Sequence, residues 1–430
     1  MKRPPRALLV FTSVWFIAAA ALCTRLAFAW NQQAKIPHVA LATVPFDQET
    51  GNIALALSEG HGYANLFRKD TGPTAWLAPV YPCLLFLIFR SFGALTFSSF
   101  VAAVILNALF SAAATFPLYA LARRLAGLPV AAATAWAWVF FPAGVLMPFE
   151  WIWDTSLSVL LPVTILSATL RLAESANLAL WTAYGLLWAL ALLSNPNLGI
   201  GLPFLFAWLI FRRGARKQAR KSAAIAVAMT TLCCLPWTVR NYRTFHRFMP
   251  IRSSLPFELW IGNNDIFDEH AVRGIQRITR FEETRRYAQL GENAYLDEKW
   301  HLATSFIKHN PSLFVRLTGR RILATWCGTE HPIADFKRTD SLLAQTILVL
   351  NFLIIFGTGA GILLLVARKH PLAVPLVVFP ILYPAIYYIT HTSLRYRHPI
   401  DPLLLLLTVY SAACLFRVIS GRFAEPISPS

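Results

Sequence analysis

Acidic charge is what this sequence has least of. Of its 430 residues, 21 are Asp or Glu against 39 Lys or Arg, and charged residues together make up 14%. A water-soluble chain of this length needs more charge than that, so a soluble enzyme is excluded. Cysteine is also scarce. Of the six, Cys23, Cys233, Cys234 and Cys414 lie within apolar runs and Cys83 and Cys327 stand alone. No CxxC pair or zinc spacing appears, so neither a disulfide framework nor a zinc site is expected. The Gly60-His61-Gly62-Tyr63 turn is followed by no Lys-Ser or Lys-Thr, which excludes a phosphate loop there. Ionisable residues are expected to be missing from the middle of every span, with Asn107 the most polar group at that depth. A proton-coupled transporter usually carries such a residue, so the pattern argues against one.

What the chain has instead is apolar sequence. Hydrophobic residues make up 56%, in runs long enough to cross a bilayer of ~30 Å hydrocarbon. Short alternating strands of the β-barrel kind do not occur. The expected fold is therefore all-α: a polytopic transmembrane bundle with juxtamembrane helices and a small extracytoplasmic helical domain. The net charge of +18 follows from basic residues on cytoplasmic connectors and from contact with anionic lipid, and nucleic acid is not expected as a partner. The densest basic run, residues 212–221, has no acidic residue and sits between two apolar segments.

Placing Arg and Lys clusters inside orders the topology. Residues 7–29, after the basic Met1–Arg6 stretch, read as a retained signal anchor running outward. Spans follow over 95–121, 128–147, 155–170, 178–193, 198–211, 223–239, 342–366, 372–389 and 403–416, roughly ten in all by the length criterion. Residues 76–89 are apolar but short and broken by Pro79 and Pro82, so they are expected to lie in the outer interface and not to cross. Three parts result: an N-terminal transmembrane module over 1–240 with a first outer loop at 30–94, an extracytoplasmic segment over 241–341, and C-terminal helices over 342–430. Within the middle part, residues 255–340 carry helical spacing and are expected to cover the active site on the outer face.

In this topology four polar clusters share one side. The first is Phe46-Asp47-Gln48-Glu49, where the chain leaves span one. The second is Phe149-Glu150-Trp151-Ile152-Trp153-Asp154, opening a span; Asp154 also reads as a plain helix N-cap. The third is Arg240-Asn241-Tyr242-Arg243 with Arg247 and Arg252, and the fourth runs from His391 to Pro402. Arginine at an outer span end runs against the positive-inside rule, and guanidinium suits bidentate phosphate binding. Snorkelling to ordinary headgroups is the plainer account of the same arginines. Taken together, the clusters suggest a lipid-phosphate leaving group, with a carboxylate to take or orient the acceptor proton.

These residues resemble the GT-C membrane glycosyltransferases, specifically the bacterial dolichyl-phosphate-mannose-protein mannosyltransferase-like branch, glycosyltransferase family 39. The resemblance rests on Asp47 with Glu49, the Tyr63 loop leading into Pro79-Val80-Tyr81-Pro82, Leu121 to Gly127, Asp154, and Arg395-Tyr396-Arg397-His398-Pro399-Ile400-Asp401-Pro402. It covers residues 1 to about 210 well and the C-terminal third loosely. It implies a catalytic first-loop acid at Asp47, with Glu49 and Asp154 as further catalytic candidates. Arg395 and Arg397, then Arg240 and Arg243, are the donor-phosphate candidates on their place at outer span ends. Glu150, Tyr63, His61, Tyr81 and Asn195 are candidates for the sugar or acceptor pocket. Pro73-Thr74-Ala75-Trp76 stands where the aminoarabinose branch carries an acid followed by a lysine, which counts against aminoarabinose and lipid A as substrates.

The expected activity is transfer of a sugar from a polyprenyl-phosphate donor to an envelope glycan, lipid or protein on the periplasmic face of a bacterial inner membrane. A lipid-linked sugar flippase or a glycan polymerase or ligase are the alternatives. No cofactor is called for, but Asp47, Glu49 and Asp154 offer oxygen ligands to a divalent metal.

Overall fold

The structure, a computed structural model, describes residues 10–67, 70–175, 177–213, 217–264, 271–339 and 341–420. Among the described residues it is helical, with one isolated bridge between Ala64 and Pro73 and no sheet. The helices are α1 (Val14–Gln33), α2 (His38–Thr43), α3 (Glu49–Ser58), α4 (Val80–Phe92), α5 (Phe97–Ala113), α6 (Thr115–Phe140) and α7 (Pro142–Glu150). They continue as α8 (Thr155–Leu172), α9 (Leu178–Ser194), α10 (Leu202–Arg212), α11 (Lys217–Phe245), α12 (Leu255–Gly262), α13 (Ala271–His309), α14 (Pro311–Cys327) and α15 (Pro332–Arg338). The last five are α16 (Leu342–Ala367), α17 (Ala373–Leu382), α18 (Ala385–Ile389), α19 (Leu394–Arg397) and α20 (Asp401–Ile419).

Six described stretches are long and apolar enough to cross a membrane, with shorter apolar helices at Val80–Phe92, Leu178–Ser194, Pro196–Arg212 and Ala373–Ile389. The longest stretch, Phe97–Phe140, holds two of the expected spans. Gly127 divides them at φ +80, a conformation that L side chains resist. The chain doubles back there: Ser111 before the break and Trp138 after it both bond Arg25 of α1. Three expected spans, 178–193, 198–211 and 372–389, are formed by helices shorter than the ~20-residue criterion. Residues 198–211 begin in a 3₁₀ turn, and 372–389 break between α17 and α18 at Tyr383-Pro384. Proline withholds the amide that would continue a helix.

Arg25 corrects the expectation of spans without interior charge. It lies within α1 and is 1% exposed. Every edge of its guanidinium is used: Nε donates to Ser111 Oγ at 2.8 Å, Nη1 to the Ala21 carbonyl at 2.8 Å and Nη2 to the Trp138 carbonyl at 3.1 Å. A guanidinium fully bonded to carbonyl and hydroxyl oxygens tolerates membrane depth. Asn107 is spent similarly, accepting from Tyr81 Oη at 2.8 Å and donating to the Trp151 carbonyl at 3.1 Å.

The segment after α11 is clamped onto the first outer loop. Glu292, 4% exposed, accepts from Thr74 Oγ1 at 2.5 Å, the Ala75 amide at 2.9 Å, Ser253 Oγ at 2.7 Å and Tyr287 Oη at 2.7 Å. A second clamp reaches the C-terminal helices. Arg321 of α14 donates to the Gly262 carbonyl, to Asn263 Oδ1 at 3.1 Å and to the Ile389 carbonyl at 3.2 Å. Gly262 is required there, because a Cβ would stand 1.8 Å from the Thr390 carbonyl oxygen. The opposite end of the bundle carries its own basic groups, with Arg124 paired to Glu174 at 3.2 Å and Arg213 donating to the Leu172 carbonyl at 2.9 Å.

Candidate functional site

A cavity of about 270 Å³ opens where the 153–158, 195–197, 252–258 and 383–399 segments converge. Asp154, immediately before α8, lines it. Its carboxylate accepts from Ser158 Oγ at 2.9 Å. Asn195, capping the turn after α9, donates to Ser158 Oγ at 3.2 Å and Tyr383 Oη at 3.1 Å. Asn197 donates to Tyr387 Oη at 2.9 Å. The wall is thus a continuous hydrogen-bonded surface, fixed by helix ends. Burial pushes the Asp154 carboxyl above the ordinary carboxylate range, opposed by the Ser158 hydroxyl and by the positive charges of Arg395 and Arg252.

Arg395 faces the same cavity from α19. Its guanidinium carbon lies 4.1 Å from the Trp151 ring centroid, 5.0 Å from Trp153 and 4.9 Å from Tyr396. Nη2 donates to Tyr396 Oη at 3.2 Å. Nη1 is buried with no hydrogen-bond partner. A desolvated N–H without an acceptor is costly, and here it lines a space large enough for an anion. Asp154 and Glu49 are both within its electrostatic reach.

The other sequence candidates are used elsewhere. Arg397, 2% exposed, bonds Asp401 at 3.0 Å, Asn351 Oδ1 at 2.8 Å and the Trp326 carbonyl. It locks α20 to α14 and α16 and does not line the cavity. Arg240 donates to the Thr74 carbonyl at 2.7 Å and the Tyr63 carbonyl at 2.8 Å, holding the first loop. Arg243 is exposed on α11. Tyr63 donates to the Leu77 carbonyl at 3.0 Å and Tyr81 to Asn107; both are loop braces. His61 opens onto a separate, wider basin with Glu59, Asn65 and Asp70. Glu150 lines an apolar cavity of about 300 Å³ shared with Leu41, Val44, Gln48, Phe149, Trp151 and Trp153, and burial raises its carboxyl above the usual range. Asp47 ends the 3₁₀ turn Val44–Phe46, its amide donating to the Val44 carbonyl at 3.2 Å. It is half-buried and stands outside the wall that Asp154 supplies.

Sequence reasoning missed Ser158, Tyr383, Tyr387 and Glu258. The first three lie within apolar runs, where a hydroxyl gives no signal of its own. Arg252, part of the third cluster but not among the named phosphate ligands, lines the cavity. Among the described residues, no three His, Cys, Asp or Glu side chains gather as a metal cradle. Asp47, Glu49 and Asp154, the oxygen ligands that the sequence offers, are not brought together as such a group.

The family described as dolichyl-phosphate-mannose-protein mannosyltransferase matches residues 78–239. No curated protein matches by sequence. Among solved structures, the archaeal oligosaccharyltransferase AglB from Archaeoglobus fulgidus, in complex with an inhibitory peptide and a dolichol-phosphate, aligns with TM-score 0.54 and 15% identity over 97% of this chain and 52% of that one. The apo form of the Archaeoglobus fulgidus oligosaccharyltransferase gives 0.55 and 15% over 98% and 52%. The form with Zn and sulfate gives 0.53 and 15% over 96% and 50%. The chain thus spans about half the length of these structures and shares their helical GT-C fold.

Proposed function

We propose that this chain moves a sugar from a polyprenyl-phosphate donor to an acceptor at the Asp154–Arg395 cavity, on the periplasmic face of a bacterial inner membrane. The observation that carries the reading is the buried, unpartnered Nη1 of Arg395 beside the half-buried carboxylate of Asp154 in one cavity. A phosphodiester oxygen supplies the missing acceptor, with Arg252 adding charge from the facing wall. The apolar cavity along Phe149, Trp151 and Trp153 continues to a second one lined by Leu26, Phe100, Val104 and Phe149, a path suited to an isoprenoid tail. A dolichol-phosphate bound to the archaeal structure supports a donor of this class.

In the reaction an acceptor oxygen or nitrogen attacks the anomeric carbon, the bond to the phosphate oxygen breaks, and the acceptor proton passes to a carboxylate. Asp47 remains our candidate for that proton, acting from the first loop outside the cavity wall with Glu49 beside it, and Asp154, which lines the cavity, is the alternative. The phosphate leaves carrying its negative charge, which Arg395 is built to hold. Division of the chain into a module to residue 240, an extracytoplasmic segment to 341 and C-terminal helices beyond belongs to the same reading.

The test is reconstitution in liposomes with a short-chain polyprenyl-phosphate sugar and extracted envelope acceptors, with mass spectrometry for released polyprenyl phosphate and glycosylated acceptor. Movement of intact donor across the bilayer without phosphate release would instead make the chain a flippase.

A further inference from the structure

Behind Arg395 runs a chain of polar groups that the reaction above does not use. Tyr396 Oη, which accepts from Arg395 Nη2, lies 2.9 Å from His391 Nε2. His391 Nδ1 stands 3.1 Å from the Glu258 carboxylate, an electrostatic approach whose angle is not that of a hydrogen bond. Glu258 belongs to α12, in the segment clamped over the bundle. The Tyr396 ring stacks on Tyr387 at 4.9 Å and 7°, so its hydroxyl has little freedom to turn elsewhere.

We infer that His391 is a positioning residue for Arg395, acting through Tyr396, and that the donor-phosphate grip needs its neutral form. This rests on the donor-phosphate reading above. A carboxylate beside Nδ1 favours the tautomer with its proton there, leaving Nε2 as an acceptor. The Tyr396 proton then points to His391, and the phenol oxygen turns its lone pairs to Arg395 Nη2. With Nη2 engaged and three aromatic rings around the guanidinium, Nη1 is the edge presented to the cavity. A proton on Nε2 reverses this: two donors face one phenol oxygen, and a second positive charge appears beside Arg395.

The charged groups facing His391 are Glu258 from α12, Arg395 from α19 and Arg321 from α14. Burial holds the imidazole below its ordinary range, Glu258 opposes this, and the two arginines add to it. The neutral form therefore dominates near neutrality, and acid removes it.

The test is donor KM and kcat from about pH 5.5 to 8 for wild type, His391→Leu, His391→Gln, Tyr396→Phe and the double variant His391→Leu/Tyr396→Phe, with Arg395→Ala alongside. Losing one bond to a charged group raises donor KM about tenfold in either single variant, with kcat little changed. The double variant is no worse than either single, because both act on one interaction. His391→Gln keeps an amide oxygen for the Tyr396 proton, so it stays within about threefold of wild type near neutrality and loses the acid rise in KM. Losses that multiply in the double variant, or an acid rise that survives in His391→Gln, overturn the inference. Raised KM in Arg395→Ala beside unaffected His391 and Tyr396 variants overturns this inference alone. Unchanged KM in Arg395→Ala overturns the phosphate reading and this inference with it.

Discussion

The guanidinium of Arg395 lies against the face of Trp151, 4.1 Å from carbon to ring centroid. The two residues come from opposite halves of the chain and meet at the rim where the aqueous cavity adjoins an apolar one. A planar cation on an indole is held without consuming its N–H groups. A lysine offers no planar group to lie flat on the ring and no fork of N–H groups.

Arg395→Lys should therefore weaken donor binding despite keeping the charge. Arg395→Ala should weaken it about 10- to 100-fold, the worth of a hydrogen bond to a charged group. Equilibrium binding of a short-chain polyprenyl-phosphate analogue reads both. Arg397→Lys is a separate case: Arg397 is bonded to Asp401, Asn351 and the Trp326 carbonyl, so its loss should lower thermal stability first.

Asp47→Asn should abolish transfer while leaving folded protein in the membrane. The substitution keeps shape and removes the charge that accepts a proton. Purified protein assayed for sugar transfer decides, and a near wild-type rate removes Asp47 from the reaction.

Asp154 gives a stability signature with a definite sign. Its carboxyl is raised in the folded state by burial, so ionising it costs folding free energy. That cost is absent at acid pH, where both states are protonated, and appears as pH rises through the raised folded value. Asp154→Asn is neutral throughout, so its melting temperature should gain on wild type between about pH 4 and pH 7. A constant difference across that interval contradicts the buried carboxyl.

Much of the bundle was legible in the sequence, because apolar runs and prolines act locally on the backbone. The helix ends at Thr96, Asn177 and Ser341, whose side chains accept from the first turn, follow the same local rule. The fate of individual arginines was not legible. Arg25, Arg240, Arg395 and Arg397 are the same residue type in or beside apolar spans, yet three are engaged by carbonyls, a hydroxyl, an amide or a carboxylate and Arg395 keeps a buried N–H without a partner. The partners that decide this, such as Ser111 for Arg25 and Asn351 for Arg397, are distant in sequence and ordinary in type. Ser158 and Tyr383 were hidden similarly, since a hydroxyl within an apolar run most often bonds its own helix.

Glu292 offers a graded test of the clamp. Glu292→Gln keeps an acceptor oxygen and should cost about 1 kcal/mol. Glu292→Leu leaves the Ala75 amide and the Thr74, Ser253 and Tyr287 hydroxyls without their acceptor, at about 3 kcal/mol or more in total. Thermal denaturation in detergent measures both. Variants indistinguishable from wild type would show that the segment does not depend on this carboxylate.

Sidedness is open to a labelling test. Asn293 donates to the Phe245 carbonyl at 2.9 Å, so the exposed neighbour Ala294 is the better site. A cysteine there, with exposed Cys23 and Cys83 replaced, should react with a membrane-impermeant maleimide in intact spheroplasts. Reaction only after lysis would place α13, and the first loop clamped to it, in the cytoplasm.

The Thr74–Glu292 bond spans 218 residues, and this sets an order of events during biosynthesis. At ~5–20 residues per second, the ribosome needs about 10–40 s to make the acceptor after the donor has emerged. Several apolar segments are made in that interval while Thr74 and the Ala75 amide wait without their acceptor. Arg395 and the 383–399 wall follow Glu292 in the sequence, so the first loop can be clamped before the last wall of the cavity has been made.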